Sequence, residues 1–321
     1  MIPHGPERLA ALAVVVVVLI AVGVGVFLTL GGAYDRSFDT HVADPAYPAG
    51  GPVVVFDEGH LNTHTIDGAY HPLAEMLRQD GFVVRVSKQS LDASAVQGVA
   101  VLVIAGARGA NDANDAPAFT EVETAAIDGW VRGGGALLLV TDHWPYGAAV
   151  SSLAGRFGVT MGSGMVQDIQ HNDPKRGDSH LVFSEKNGLL RDHPIVRGRS
   201  DAERVRRVLT FTGQSVGGPE DAVAFLALSG TATERPPGTP RVERTGGDVR
   251  VEMEYGEPLP AAGRAQGLAL EVDGGRVVVL GEAGMLRAQL DRKVGKVGMN
   301  VTGYDNRQLA LNIFHWLSRA I

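Results

Sequence analysis

A chain of 321 residues with 45% hydrophobic content can enclose a real core as one large domain or two ordinary ones, which excludes disorder as the default. A formal net charge of -7 without a long Lys/Arg block excludes nucleic acid as the main partner. The chain has no cysteine, so disulfides, thiolate metal sites and a cysteine nucleophile are all excluded, and any metal must fall to His, Asp and Glu.

After a short flank, 1–8, residues 9–30 are apolar apart from Thr29 and would reach about 33 Å as a helix, enough to cross a bilayer core. The apolar part of a cleaved signal is normally shorter, so an uncleaved transmembrane anchor is expected, with Gly31-Gly32-Ala33 as the place where cleavage would otherwise fall. The far side carries Asp35, Arg36 and Asp39 with no positive excess, which puts the N-terminus in the cytoplasm and the bulk of the chain outside it. Residues 31–50, with Pro45 and Pro48, read as a juxtamembrane linker.

The domain is expected over 51–321, with a core of 51–160 and 263–321 and an insertion at 161–262. Val53-Val54-Val55-Phe56 forms a buried strand that runs into Asp57-Glu58-Gly59-His60-Leu61-Asn62-Thr63-His64. Tyr70, Leu73, Met76 and Leu77 fall at helical spacing before the stop Asp80-Gly81. Strands follow at 82–86 and 100–105, then a polar loop, 106–117. Thr120 and Glu123 form a capping box for a helix carrying Val122, Ile127, Trp130 and Val131. Three glycines end that helix, and the strand 136–140 leads into Thr141-Asp142-His143 and a helix over 148–157. Strands alternating with helices across short joins predict a doubly wound, mostly parallel sheet.

From 161 to 262 the pattern changes to Gly, Pro and charge. Short strands at 205–211, 222–228 and 249–253 predict an antiparallel insertion, with 230–248 as a loop. A strand at 277–280 then runs into Gly281-Glu282, and a last helix carries Leu309, Ile313, Trp316 and Leu317 on one face. In an open parallel sheet ligands sit beyond the carboxyl ends of the strands, so three polar strand ends predict one shared rim.

The segment Val101-Leu102-Val103-Ile104-Ala105-Gly106, the helix after it, and Gly133-Gly134-Gly135-Ala136-Leu137-Leu138-Leu139-Val140-Thr141-Asp142 resemble the class I glutamine amidotransferase-like superfamily, a flavodoxin-like α/β fold. A membrane-anchored bacterial branch of it is resembled through Asp57 to His64, Thr141-Asp142-His143, Gly213-Gln214-Ser215, Gly281-Glu282-Ala283 and Asp305-Asn306-Arg307-Gln308. Glutaminase members carry a cysteine where this chain has Thr141-Asp142-His143, and a His-x-Glu pair where it has Gly281-Glu282. Without cysteine no thioester forms with glutamine, so amidotransferase chemistry is set aside.

The rim residues support three readings. As a Zn, Mn or Fe site, His60, His64, Asp142 and His143 would be ligands, and an open position would activate water. Without metal, His143 or His60 would act as base, with Glu58 or Glu282 as partner. In a purely structural reading, Asp57 and Asp142 cap helices and the histidines bond loop backbone. Asn62, His64, Gln214 and Asn306 are the expected substrate contacts, although Asp305-Asn306 also reads as a helix cap, and Trp144-Pro145-Tyr146 forms an aromatic wall or core. The leading expectation is a membrane-anchored extracytoplasmic hydrolase using Asp57, Glu58, His60, Asp142, His143 and Glu282. The alternative is a non-catalytic module that binds a cell-envelope glycan, peptide or membrane protein, tethered to the lipid bilayer through 9–30.

Overall fold

A computed structural model describes residues 34–109, 116–245, 248–292 and 294–321. The expected anchor, 9–30, lies outside them; among the described residues no helix is long and apolar enough to cross a membrane. The first half contains β1 (Val53–Asp57), α1 (His71–Gln79), β2 (Val83–Ser87), β3 (Val101–Ala105), α2 (Glu121–Arg132), β4 (Ala136–Val140) and α3 (Tyr146–Gly155). The middle contains β5 (Thr160–Met161), β6 (Met165–Gln167), β7 (Asn172–Asp173), β8 (Gly177–Ser184), α4 (Pro194–Arg197), β9 (Arg207–Leu209), β10 (Val216–Gly217), β11 (Val223–Ala227) and β12 (Thr233–Arg235). A hairpin, β13 (Pro237–Thr245) and β14 (Asp248–Tyr255), precedes β15 (Leu259–Pro260), β16 (Ala265–Val272) and β17 (Gly275–Leu280). The chain closes with β18 (Ala288–Asp291), β19 (Gly295–Gly298) and α5 (Asn306–Leu317).

The central sheet runs β2-β1-β3-β4-β17-β16-β10-β5, with β11 also on β16. From β2 to β17 every pairing is parallel; from β17 outward every pairing is antiparallel. The fold is therefore mixed α/β with a large, mostly parallel centre. β3 and β4 are continuous apolar runs because both of their faces are covered. Alternate side chains enter two cores. Val101, Val103, Leu138 and Val140 pack with α1 and α5 through Leu73, Leu77, Leu309 and Ile313. Leu102, Ile104, Leu137 and Leu139 pack with α2 and α3 through Ile127, Val131, Val150 and Leu153.

Three expectations change. β10 and β11, placed in an insertion by their Gly- and Pro-rich surroundings, belong to the central sheet because their antiparallel partner is β16. The stretch expected as a loop over 230–248 carries β12 and β13, which find partners in β6, β15 and β14. Residues 34–50, expected as a linker, are packed on the domain: Val42 is buried, Ala46 N donates to Asp80 Oδ1 at 2.7 Å, and the Tyr47 hydroxyl donates to the Ser318 carbonyl at 3.1 Å.

Candidate functional site

Parallel pairing brings the ends of β1, β3, β4 and β17 to one edge, so the three expected polar strand ends do share a rim. It is divided into two clusters of different character.

At the end of β1, Asp57 is buried. Its carboxylate accepts from His60 Nδ1 at 2.9 Å, Asn62 Nδ2 at 3.0 Å and the Gly59 amide at 3.1 Å. His60 Nε2 reaches Glu123 Oε1 at 3.0 Å. Glu123 also accepts from the Leu91 amide at 3.0 Å and closes the capping box of α2 through Thr120 N at 2.9 Å. Burial opposes charge on both Glu123 and His60. Hydrogen bonds from Thr120, Leu91 and His60 nevertheless hold the Glu123 carboxyl down to about 2. The Asp57 and Glu123 carboxylates hold the His60 imidazole above its ordinary value. With a carboxylate on each ring nitrogen, His60 is an imidazolium clamp that joins the β1 loop to α2, and neither nitrogen is open to a metal or substrate.

His64, four residues on, is also buried. Its Nε2 accepts from Arg287 Nε at 3.0 Å, and its Nδ1 lies 2.9 Å from Thr63 Oγ1. Burial, reinforced by the Arg287 guanidinium, pushes the His64 imidazole well below its ordinary range. It is therefore neutral, and because Nε2 accepts, Nδ1 carries the proton and donates to Thr63. Thr63 Oγ1 in turn faces the Gly106 carbonyl at 3.3 Å, beyond the end of β3. Gly106 sits at φ +63, and a Cβ there would lie 2.2 Å from Thr63 Oγ1, so both backbone and space require glycine.

The second cluster stands at the ends of β4 and β17. Asp142 Oδ1 accepts from the His143 amide at 2.8 Å, while the His143 ring stays 3.7 Å from that oxygen, beyond hydrogen-bond range. His143 Nδ1 lies 3.0 Å from the Trp144 carbonyl. The Glu282 carboxylate is fully buried and accepts from the amides of Gly284 and Met285, the latter at 2.8 Å. Burial first, then the charge of Asp142, pushes the Glu282 carboxyl up to about 8, so it is mostly protonated at neutral pH. Tyr70, buried beside the same groups, has its phenol pushed well up by burial and donates to the Ala283 carbonyl at 3.0 Å. Gln214 Nε2 donates to Thr141 Oγ1 at 2.7 Å, and its buried Oε1 has no hydrogen-bond partner.

The expected residues thus divide. Asp57, His60 and Asn62 form one network; Asp142, His143, Glu282 and Gln214 share the β4–β17 end; His64 bridges toward Arg287. Glu58 Oε1 is occupied by the Ile66 amide at 2.9 Å. Asn306 is committed to backbone, exchanging hydrogen bonds with Leu209 at 3.0 and 2.7 Å and donating to the Met285 carbonyl at 3.3 Å, so that it pins α5 to β9 and to the turn that holds Glu282. Among the described residues no group of three or more His, Asp and Glu side chains is arranged to hold a metal ion. The proposed ligand set of His60, His64, Asp142 and His143 does not converge, because His60 and His64 are committed to other partners.

Two participants escape sequence reasoning. Glu123 reads as a helix cap, yet its second oxygen serves a histidine 63 residues away in the chain. Arg287 is one charge within the apolar run Gly284-Met285-Leu286-Arg287-Ala288; a guanidinium in such a setting needs a buried partner, and that was the available signal.

No protein-family model and no curated protein matches the sequence. Among solved structures, one described as "mmIFT52 N-terminal domain" superposes with a TM-score of 0.58, at 14% identity, over 83% of this chain and 97% of that one. A ThuA-like protein from Bacteroides uniformis gives 0.41 at 12% identity over 88% and 95%. A GMP synthase-like protein from Thermoplasma acidophilum gives 0.41 at 10% over 84% and 94%. The first likeness shows a shared fold and carries nothing about activity.

Proposed function

We propose that this chain is a non-catalytic binding module, an amidotransferase-like fold without the cysteine, tethered to a membrane by the apolar run 9–30 and facing away from the cytoplasm. The observation that carries this reading is that His60 and His64 each have both ring nitrogens engaged by other side chains of the protein. A base or a metal ligand needs a nitrogen to offer, and these two have none, while His143, whose Nε2 stays 3.7 Å from Asp142, has no carboxylate among the described residues within hydrogen-bond range to orient it as a base. What the rim offers is amphipathic: Leu61 in the β1 loop is 55% exposed, and His143, Trp144 and Tyr146 after β4 are half-buried. Rings with polar edges suit the face of a sugar, so a cell-envelope glycan is the ligand class proposed.

Fluorescence of the full chain in detergent micelles, titrated with chito-oligosaccharides, tests this reading. A saturable change that disappears in Trp144→Phe supports it; no change, or a change that persists in that variant, counts against it. A second reading is favoured by Glu282 alone, since a carboxylic acid kept protonated beside Asp142 is what a general acid requires. Under that reading Asp142→Asn and Glu282→Gln abolish turnover of glycoside, ester or amide probes; under the binding reading the wild-type chain turns none of them over.

A further inference from the structure

On another part of the surface, the segment 35–43 and the end of the β19 region enclose a groove of about 550 Å³ lined by residues of both charges and by apolar side chains. Lys296 and Arg307 stand in its wall with Asp39, Phe38, Asn300 and Val301. The Asp35 carboxylate beneath them is already satisfied, by the Ser37 amide at 3.0 Å and by Asn300 Nδ2 at 3.0 Å. Asp39 uses one oxygen for the His41 amide at 2.9 Å, and it is exposed. Arg307 spends one nitrogen on the His41 carbonyl, and Lys296 is exposed. Asn300 gives its Nδ2 to Asp35 and, at 3.1 Å, to the Gln289 carbonyl, which fixes the amide orientation and leaves Oδ1 without a partner.

From these residues we infer a second binding site, for a phosphate ester that carries a primary ammonium group. The guanidinium of Arg307 and the ammonium of Lys296 meet the phosphate oxygens, for which a guanidinium is the better-shaped partner. Asp39 meets the ammonium group, and Phe38 and Val301 face the carbon skeleton. Charge of both signs beside an apolar wall selects a zwitterion over a simple anion. Asp35 follows the end of the apolar run by five residues, which no extended chain can stretch beyond about 18 Å. With 9–30 in a bilayer, the groove would then open close to the headgroup layer, where such esters occur as phospholipid headgroups; a soluble ester of the same chemistry is the other source. The site is separate from the strand-end rim and stands or falls without it.

The test is calorimetric titration of the full chain in phosphate-free maltoside micelles with O-phosphoethanolamine, inorganic phosphate and ethanolamine. The expected result is one saturable site for O-phosphoethanolamine, weakened about tenfold by Lys296→Ala and by Asp39→Asn, each the loss of one charge-assisted contact. Inorganic phosphate should bind more weakly and respond to Lys296→Ala but not to Asp39→Asn. Dihexanoyl phosphatidylethanolamine binding tighter than O-phosphoethanolamine assigns the site to lipid; equal or weaker binding assigns it to a soluble ester. Absence of saturable O-phosphoethanolamine binding, or binding unaffected by both variants, overturns the inference, as does phosphate binding as tightly as the ester. Unchanged melting of both exposed-residue variants separates loss of the site from loss of the fold.

Discussion

The two ends of the rim handle buried carboxylates in opposite ways. At β1, Asp57 and Glu123 flank His60, and three charged groups are held by one another and by backbone amides. At β4 and β17, Asp142 and Glu282 have no comparable clamp between them, and Glu282 is driven toward its neutral form. Buried carboxylates at the rim therefore form a charged fastening in one place and a mostly neutral acid in the other. The difference is set first by burial, which is complete at Glu282, and then by whether the nearest charged neighbour is a cation, as at Glu123, or another carboxylate.

The contrast is sharpest if the clamp is broken. His60→Ala leaves two carboxylates buried without their shared cation and is expected to cost about 3 kcal/mol, read as a lower denaturant midpoint; a loss below about 1 kcal/mol would mean the clamp is idle. Gly106→Ala attacks the neighbouring His64 support, and the positive φ with the Thr63 clash should cost about 2 kcal/mol. Chemical denaturation checks it, with Gly98→Ala, at φ +69 in open space, as the control for backbone strain alone.

Proton linkage distinguishes the two ends further. Glu282 has its folded value raised from 4.5 to about 8, so between those values the folded chain holds a proton that the unfolded chain has lost. Its contribution is therefore fully present below the unfolded value and falls as pH rises through 8, by at most about 1.4 kcal/mol per unit. Glu282→Gln should flatten that decline. Glu123, lowered from 4.5 to about 2, contributes above its unfolded value and loses that contribution as pH falls from 4.5 through 2, so Glu123→Gln should cost stability at neutral pH and flatten the decline on the acid side. Identical pH profiles for the two variants would erase the distinction. The smallest effect belongs to His143, whose side chain is 40% exposed: His143→Ala should change stability by no more than about 0.5 kcal/mol while weakening any ligand bound at the rim.

Much of the parallel half was legible because each local signal agreed with the fold. Val-Leu-Val-Ile-Ala and Ala-Leu-Leu-Leu-Val could only be strands buried on both faces, and Thr120 with Glu123 marks the start of α2 at the residue where it begins. Phe82 to Val86 and the last helix were placed to within a few residues. β16 was not seen, since Ala265–Val272 contains a glycine and lacks clear alternation; its buried face is decided by Phe225 and Leu226, which lie far back in the chain. The rim was legible as a place and illegible as an arrangement. Spacing shows that His60 and His64 belong to one loop, but their partners, Glu123 and Arg287, are set by tertiary packing across 63 and 223 residues.

The central claim, that the β1 histidines are fastenings and not working groups, is tested most directly by long-range proton–nitrogen correlation of the histidine rings in the full chain at neutral pH, with and without added zinc. The account predicts His60 protonated on both nitrogens, His64 neutral with its proton on Nδ1, and neither altered by zinc. A neutral His60 that loses a ring proton or shifts when stoichiometric zinc is added would contradict it and return the strand-end rim to metal chemistry.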